Sequence, residues 1–390
     1  MYWMCHTISM TASMTGHEFL IQLKKQGNKS AEYFETLYDE LDRKAREKGI
    51  PLNGQFELTP LCNFDCKMCY THLTKAQMHG RPLLTVDQWK QIADDAYAAG
   101  MVRVNLTGGE CLTYPGFKEL YLYLHSLGCE IRVLTNGALL DAGWISFFRA
   151  HPPILIQVSL YGGDEETYER VTGLRQFAVV SANIRRLIAS GLPVVLAVTP
   201  SKHMEEGLLN TVRAAHEFGI PYSITPDLID PQEETGRSGQ DHELSLDDYV
   251  AVYRLRNVLE GNPVSSVDPD QLPPPGGACH ECSVFGLNCG GGMSCFDIDW
   301  TGDMYICNSF RSVVFHPLEE GFKPCWEKLH RIAAGWPRVP ECVGCPYEPV
   351  CTNCEVRKAW FGKPGQQPLD LCERTRYLVQ HGVYKIQECT

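Results

Sequence analysis

The sequence predicts an α/β fold built on a parallel sheet. Between residues 55 and 225, short apolar segments that resemble strands alternate with longer segments of helical periodicity. Repeated β-α units of this kind imply parallel strands that are joined by right-handed crossovers. The first strand is expected just before Pro60, which has no N–H to donate to a sheet. Five further strands are predicted at Val102–Leu106, Glu130–Leu134, Ile154–Leu160, Val194–Val198 and Tyr222–Thr225.

Helices are predicted between these strands. Four of them are followed by glycine, which favours the left-handed conformation that ends many helices. The glycines concerned are Gly100, Gly128, Gly191 and Gly219. The helices are predicted near Thr85–Ala99, Gly116–Ser126, Asp141–Arg149, Phe177–Ser190 and Glu205–Phe218.

We divide the chain into four parts. Residues 1–50 are a helical extension, residues 51–230 hold the β-α units, residues 231–278 are a bridge rich in Pro and Gly, and residues 279–390 form a second domain. In the bridge, Ser245–Leu259 is predicted to be one helix. In the extension, Ser30 is predicted to cap a helix over Ala31–Gly49. Its apolar face would carry Tyr33, Phe34, Leu37 and Leu41.

Composition restricts the class of protein. The hydrophobic content of 44% and the charged content of 21% are ordinary for a globular protein of 390 residues. The net charge of −12 and the lack of a basic stripe argue against a nucleic-acid partner. No apolar run approaches the roughly 20 residues of a membrane span, and the N-terminus does not resemble a signal peptide. We therefore expect a cytoplasmic protein, in which the 18 cysteines are reduced and serve as metal ligands.

The most informative stretch is the loop after the first strand. Cys62, Cys66 and Cys69 are spaced C-x3-C-x2-C, and a loop can turn all three thiolates toward one metal centre. Thiolates are the ligands of iron–sulfur clusters, and a cluster of four irons needs four of them. Three local cysteines therefore suggest a 4Fe–4S cluster with one iron left open for a substrate or a cofactor. A zinc knuckle or a set of buried cysteines is the alternative interpretation.

This loop resembles the signature of radical S-adenosylmethionine (radical SAM) enzymes. The resemblance implies an open partial (β/α)6 barrel whose chemistry lies at the carboxyl ends of the strands. It also implies that S-adenosylmethionine binds the open iron. Cleavage of the sulfonium then gives a 5′-deoxyadenosyl radical, which abstracts a hydrogen atom from the substrate. In such a site Met68 and Tyr70 would lie near the adenine.

Further residues match the same family at the strand ends. Gly108-Gly109-Glu110 resembles the GGE motif that binds the amino group of the methionine moiety. Ser159 and Asn136 stand where relatives contact the ribose or the methionine carboxylate, and Tyr161 replaces a common acidic residue. Each of these sequences also favours a simple turn, since Gly-Gly and Asn-Gly are turn formers.

The tail resembles the SPASM domain of radical SAM enzymes, which holds two auxiliary 4Fe–4S clusters. The spacing of Cys351 and Cys354 is one residue shorter than in many such domains, and Cys279 and Cys282 add a further C-x2-C pair. Two zinc ribbons would need the same thiolates and are the alternative. Carried over, the pattern assigns one cluster to Cys289, Cys295, Cys307 and Cys354, and the other to Cys342, Cys345, Cys351 and Cys372.

The resemblance implies a peptide-modifying oxidoreductase. Sulfatase-maturating relatives place an aspartate base directly after the cysteine that corresponds to Cys307, but here Asn308 follows it. An amide cannot accept a proton at neutral pH. Asp297, Asp299 and Asp303 lie nearby in the sequence. We therefore predict a maturase that forms a thioether or carbon–carbon crosslink in a ribosomally made precursor peptide.

The expected partners are that peptide, an electron donor such as flavodoxin or ferredoxin, and a separate leader-binding protein. The alternatives are a sulfatase-maturating enzyme, a small-molecule radical SAM oxidoreductase, an iron–sulfur electron carrier and a zinc-stabilised interaction protein.

Overall fold

The protein is built around one open sheet of eight strands. It is described here from a computed structural model, which describes residues 29–225, 235, 242–262, 265–274, 286–287, 289–348, 350–351, 354 and 369–384, with the backbone alone for 29–36 and 370. The strands are β1 (Asn53–Glu57), β2 (Arg103–Thr107), β3 (Glu130–Thr135), β4 (Leu155–Leu160), β5 (Val194–Val198), β6 (Tyr222–Ile224), β7 (Cys295–Ile298) and β8 (Met304–Tyr305).

The strand order is β6-β5-β4-β3-β2-β1-β7-β8. The first six strands pair in parallel, which confirms the predicted α/β fold with a parallel sheet. β7 comes from the predicted second domain but pairs in parallel with β1, with Gln55 opposite Asp297. The tail therefore continues the sheet beyond the six strands that the sequence predicts. Within the described residues β6 and β8 are its outer strands, so the sheet is not closed.

Helices follow the strands as predicted. The long ones are α1 (Lys29–Lys48), α2 (Val86–Ala99), α3 (Phe117–Ser126), α4 (Ala142–Ala150), α5 (Glu165–Thr172), α6 (Phe177–Ala189), α7 (Leu208–Glu217) and α8 (Leu246–Leu259). The tail adds α9 (Pro317–Glu320), α10 (Phe322–Ala334) and α11 (Leu369–Gln380).

Local signals explain where several helices begin and end. Thr85 caps α2 in a reciprocal arrangement with Gln88, and Ser245 caps α8 by accepting from the backbone N–H of Asp248. Gly100 ends α2 at a φ of 117°, in the left-handed region that favours glycine. The predicted boundaries of α2 and α8 are thus confirmed to within a residue.

The structure corrects three predictions about helices. α1 begins at Lys29, so Ser30 is inside the helix and does not cap it. Leu37 and Leu41 are exposed, because α1 turns Tyr38, Asp42 and Ala45 toward the sheet. α5 was not predicted, and neither were the tail helices α10 and α11, which each have more than ten residues.

The two faces of the sheet carry different side chains. Phe56 of β1 and Phe296 of β7 are fully buried on one face, where their rings lie 6.5 Å apart within the main core. Because side chains alternate along a strand, Gln55, Glu57 and Asp297 project from the opposite, concave face. No helix among the described residues is long and apolar enough to cross a membrane.

Candidate active site

The three cysteines of the predicted cluster loop lie just beyond the carboxyl end of β1. Cys66 is buried, and Cys62 and Cys69 are half-buried. The backbone N–H of Phe64 donates to the Cys62 sulfur at 3.3 Å, and that of His72 donates to the Cys69 sulfur at 3.3 Å. Hydrogen bonds to sulfur stabilise thiolates and tune the clusters that they hold. The loop therefore already presents two of its sulfurs as hydrogen-bond acceptors.

The glycine pair at the end of β2 holds the chain next to this loop. The N–H of Gly109 donates to the carbonyl of Thr59 at 2.6 Å. A Cβ on Gly109 would lie 2.5 Å from the carbonyl oxygen of Leu61, and one on Gly108 would lie 2.4 Å from that of Thr59. Both distances are too short for any side chain. The two glycines thus allow the chain after β2 to lie directly against the segment that leads into Cys62.

Glu110 joins the ends of two strands. Its carboxylate is buried and accepts from the hydroxyl of Thr135 at 2.8 Å, from the N–H of Asn136 at 2.7 Å and from the N–H of Leu112 at 3.1 Å. Burial raises the pKa of this carboxyl, although the three donors oppose the shift. Binding of the methionine amino group by the GGE motif stays a prediction.

Asn136 connects the end of β3 to the cysteine loop. Its side-chain amide donates to Oδ1 of Asn63 at 2.7 Å and lies 3.6 Å from the sulfur of Cys62. The backbone N–H of Ala138 donates to its Oδ1 at 3.0 Å. Asn136 is therefore both a turn former and a neighbour of the cysteine loop.

Tyr161 follows β4 and lies near the cysteine loop. Ser159, at the end of β4, hydrogen-bonds to its phenol. Burial raises the pKa of Tyr161 well above its usual range, and thiolate charge on the three loop cysteines raises it further. Three thiolates close together would fit the ligand set of a cluster with one open iron. The assignment of Cys62, Cys66 and Cys69 as those ligands stays a prediction.

The two residues predicted to lie near adenine have different surroundings. Met68 is buried in the main hydrophobic core. The phenol oxygen of Tyr70 accepts from the side-chain amide of Asn308 at 3.0 Å. Burial raises the pKa of Tyr70 well above its usual range, and the charge of Glu57 adds to this. Tyr70 thus connects the cysteine loop directly to the residue that follows Cys307.

Electrostatic effects connect several of the tail cysteines that the resemblance assigns to one cluster. Burial raises the pKa of Cys307, and the charges of Asp297, Cys289 and Cys354 raise it further. Burial also raises the pKa of Cys295 to about 12, with contributions from Asp42 and Cys289. The assignment of the four cysteines to one cluster stays a prediction.

The second tail set is partly assembled by α11. Cys342 and Cys345 share one turn, in which the N–H of Cys345 donates to the carbonyl of Cys342 at 3.3 Å. Cys372 and Thr375 are three residues apart on α11 and therefore share a face. The hydroxyl of Thr375 donates to the sulfur of Cys351 at 3.6 Å. Cys372 and Cys351 are thus brought to the same region.

The cysteines that the structure describes are not joined in disulfides. Fourteen of the 18 cysteines lie in this part of the chain, and none of them forms a disulfide there. Cys279 and Cys282 lie outside the described residues. Among those that are described, no three thiol, imidazole and carboxylate groups are arranged to hold a single metal ion.

A buried charge network connects the end of β1, next to the cysteine loop, with the segment that follows Cys307 in the tail. The carboxylate of Glu57, which is fully buried, pairs with Arg311 at 2.6 Å. Arg311 also pairs with Asp299 at 3.2 Å and donates to the backbone carbonyl of Asn308 at 3.1 Å. Burial raises the pKa of Glu57, and Arg311 opposes this. One cation therefore holds the end of β1 to the segment after Cys307.

The three aspartates near Asn308 have separate roles. Asp297 accepts from the N–H of Asn308 at 2.6 Å and from Gln55 at 3.0 Å, and burial raises its pKa to about 8. Asp299 is held by Arg311, whereas Asp303 pairs with His316 at 2.7 Å near the surface. Asp297 is the one of the three that pairs in register with β1, opposite Gln55.

The family follows from comparison with known proteins. Residues 56–215 match the radical SAM superfamily. The chain carries a radical SAM domain. The predicted recognition is confirmed, and radical SAM enzymes use S-adenosylmethionine and a 4Fe–4S cluster. The matched region includes the cysteine loop, the GGE motif and the ends of β3 and β4.

Two relatives align over more of the chain than residues 56–215, so the similarity extends into the tail. An AdoMet-dependent heme synthase of Methanosarcina barkeri is 26% identical over 324 residues, which is 77% of this chain and 90% of that protein. The mycofactocin maturase MftC of Mycobacterium ulcerans is 26% identical over 332 residues, or 83% of this chain and 88% of MftC. The structure of Streptococcus suis SuiB bound to precursor peptide SuiA has a similar fold, with a TM-score of 0.63 at 16% identity, covering 87% of this chain and 81% of that one.

Several residues of the site were not found from the sequence. Glu57 and Arg311 were missed, although a charged residue inside an apolar strand is itself a signal of a buried partner. Asn63 was missed because its role depends on Asn136, which is 73 residues away. No local pattern reveals such a contact.

Proposed function

We propose that this radical SAM enzyme matures a ribosomally made peptide by forming an intramolecular thioether or carbon–carbon crosslink. The observation that carries the proposal is the direct contact between the two cysteine regions, through Tyr70 of the loop and Asn308 of the tail. An enzyme that only cleaved S-adenosylmethionine would have no use for a second set of cysteines beside the first. An oxidative crosslink releases electrons, which a second cluster can accept.

In this proposal Cys62, Cys66 and Cys69 hold the first cluster, and Gly108, Gly109, Glu110, Asn136 and Ser159 line the place of S-adenosylmethionine, with Met68 and Tyr70 nearby. When bound, the cluster and S-adenosylmethionine would supply the 5′-deoxyadenosyl radical that removes a hydrogen atom from the substrate. The chain itself positions the loop through the glycine contacts to Thr59 and Leu61 and through Asn136.

We further propose that the tail is a SPASM domain with two auxiliary 4Fe–4S clusters. The contributions of Cys289 and Cys354 to the raised pKa of Cys307 support the first of these, and the approach of Cys351 to α11 supports the second. The ligands would be Cys289, Cys295, Cys307 and Cys354 for the first cluster. Cys342, Cys345, Cys351 and Cys372 would hold the second.

The peptide substrate is supported by two comparisons. MftC, named a maturase, aligns over most of both chains, so the similarity includes the tail. SuiB, whose fold is shared over 87% of this chain, was captured with its precursor peptide. Asn308 argues against formylglycine formation, because its amide donates to Tyr70 and its N–H donates to Asp297, so it offers no base. We propose a flavodoxin or ferredoxin as electron donor and a separate leader-binding protein.

Co-expression with the short peptide encoded by a neighbouring gene tests this function. The peptide should lose the mass of two hydrogen atoms, and fragmentation should place both losses between the crosslinked residues. A variant with Cys62, Cys66 and Cys69 changed to alanine is the matched control and should leave the peptide unchanged. An unmodified peptide in the presence of continued S-adenosylmethionine cleavage would count against the proposal.

A second candidate is a small-molecule reaction of the kind named for the Methanosarcina relative. The extent of the alignment favours this candidate, because it covers 90% of the heme synthase. Anaerobic incubation with S-adenosylmethionine, a reductant and a heme precursor separates the two candidates. The appearance of the heme absorption spectrum would support the second candidate, and its absence together with a crosslinked peptide would support the first.

A further inference from the structure

Arg132 and Asn105 are neighbouring polar side chains on the concave face of the sheet. Arg132 of β3 pairs in register with Asn105 of β2, which in turn pairs in register with Gln55 of β1. Residues in register on neighbouring parallel strands project to the same side, and the strands lie about 4.8 Å apart. The guanidinium and the amide therefore lie next to each other on the face that carries Gln55.

Both side chains have hydrogen-bonding groups to spare. Within the described part of the chain, neither side chain makes a hydrogen bond or an ion pair. The Nε of Arg132 is buried, but each of the two residues is only half-buried as a whole. Burial lowers the pKa of the guanidinium to about 10, so it stays charged at neutral pH. A partly buried cation of this kind calls for an anion.

The carboxylates on this face are already in use. Glu130 accepts from Arg103 at 2.8 Å through one oxygen and from the phenol of Tyr38 at 2.7 Å through the other. Asp297 lies on β7, three strands away from β3, and already accepts two hydrogen bonds. Glu130 therefore neutralises Arg103, and the anion for Arg132 is expected from a ligand.

Helix α1 determines the side from which a ligand can reach Arg132. Tyr38 of α1 binds Glu130, which lies two residues before Arg132 on β3, so the helix covers the amino-terminal end of this face. In the other direction, β3 leads to Asn136, whose amide lies 3.6 Å from the sulfur of Cys62. Four residues separate Arg132 from Asn136, or about 13 Å along a strand. The open approach is thus from the cysteine loop.

We propose that Arg132 and Asn105 form a subsite that binds a carboxylate of the substrate. This inference rests on the peptide substrate of the proposed function. A guanidinium presents paired N–H donors that match the two oxygens of a carboxylate, and the amide of Asn105 can add another donor. An extended peptide advances about 3.3 Å per residue. The carboxylate should therefore belong to an Asp or Glu within about four positions of the modified residue, or to the C-terminus of the peptide.

Variants of the full-length protein, prepared anaerobically with their clusters, test the subsite. Arg132→Met removes the charge, and Arg132→Lys keeps it without the paired donors. Asn105→Asp places a carboxylate beside Arg132 and so supplies the missing anion from within the protein. Arg175→Gln is the matched control, since Arg175 is exposed and pairs with Glu169 at 2.9 Å.

Glutarate, a simple dicarboxylate, is the first probe. At constant ionic strength it should raise the unfolding temperature of the wild-type protein and of Arg175→Gln, and it should have little effect on Arg132→Met and Asn105→Asp. Without glutarate, Asn105→Asp should be more stable than the wild type, because it gives Arg132 a counter-ion. A residue with only a structural role would not produce these opposite responses. An equal glutarate response in the wild type and Arg132→Met would overturn the inference.

The precursor peptide is the second probe. With the wild-type enzyme, changing one Asp or Glu of the peptide to Asn or Gln, or amidating its C-terminus, should lower kcat/KM about tenfold. The loss should appear mainly in KM, and the same change should have no further effect with Arg132→Met. If no carboxylate of a modified peptide matters, the subsite is wrong. An unmodified peptide together with the expected glutarate responses would instead count against the peptide function and leave the carboxylate subsite supported.

Discussion

The two cysteine regions that meet in this protein are built in different ways. In the loop, three cysteines lie within eight residues, and backbone N–H groups of the same loop donate to the sulfurs of Cys62 and Cys69. In the first tail set, four cysteines come from separate segments between residues 289 and 354. The pairing of β7 with β1 brings Cys295 to the concave face. The comparison shows that one site is specified by local spacing and the other by the sheet.

Their electrostatic surroundings also differ. Around the loop, Cys62 lies near the neutral amide of Asn136, and the charge of the buried carboxyl of Glu110 also acts on it. Around Cys295 lie charges of both signs, from Asp42 and Arg46. The loop therefore has an anionic neighbour, whereas the tail cysteine has a paired anion and cation beside it. The following experiments would break or sharpen this contrast.

Removing one cysteine from each region should have the largest and most unequal effects. Cys69→Ala should abolish formation of 5′-deoxyadenosine, because the first cluster loses a third of its protein ligands. Cys307→Ala should keep this cleavage but lose peptide modification, because Cys307 is the proposed ligand of a cluster in the tail. Chromatography of 5′-deoxyadenosine and mass spectrometry of the peptide measure the two activities. Loss of cleavage in both variants would show that the regions are not separable.

The next largest effect should come from the ion pair that ties the regions together. Arg311→Met leaves the carboxylates of Glu57 and Asp299 buried without their cation. Breaking a buried pair in this way typically destabilises a protein by about 3–5 kcal/mol. Thermal or denaturant unfolding under anaerobic conditions measures the loss. The double variant Glu57→Gln/Arg311→Met should recover part of it, and an equally unstable double variant would contradict the pairing.

Gly109→Ala should damage the loop more than the tail. The added Cβ would lie 2.5 Å from the carbonyl oxygen of Leu61, so the backbone next to Cys62 must move. We expect destabilisation by about 1–3 kcal/mol and reduced occupancy of the first cluster. Gly128→Ala is the control, because its Cβ would meet nothing within 4 Å and it carries only the strain of a φ of 80°. Iron content and unfolding measure both effects, and equal losses would rule out the close contact as the cause.

The smallest expected effect concerns pH. Burial raises the pKa of Glu57 in the folded protein above its unfolded value of about 4.3. The folded state then binds more protons than the unfolded state between these two values, so stability falls as pH rises through this window. Glu57→Gln cannot titrate and should flatten that part of the profile. Unfolding measured from pH 4 upward tests this, and an unchanged profile would mean that Arg311 fully offsets the burial of Glu57.

Much of the fold could be predicted because its signals are local. The alternation of apolar runs placed β5 at Val194–Val198, as the structure has it, and Thr85 and Gly100 marked the ends of α2. Two parts of the fold could not be predicted in this way. β7 has only four residues, too few to show a period, and its partner β1 lies more than 240 residues earlier. α1 was predicted as a helix but with the wrong face, because Tyr38 and Asp42 bind specific partners in the sheet.

The candidate site shows the same limit. The spacing of Cys62, Cys66 and Cys69 indicated the family, which the match over residues 56–215 confirms. The meeting of Tyr70 with Asn308 and the pairing of Glu57 with Arg311 were not visible in the sequence. Each of these contacts joins residues that are more than 200 positions apart. A contact of that kind exists only once the sheet has set the register of β1 and β7.

The sequence alone determined the parallel α/β sheet, the cysteine loop and the glycine pair that supports it, because spacing, periodicity and backbone size act over a few residues. The tertiary structure alone decided which charges surround the tail cysteines. Charges act through space, and Asp42 and Arg46 come near Cys295 only because α1 packs against the sheet, where Asp42 accepts from the hydroxyl of Ser294.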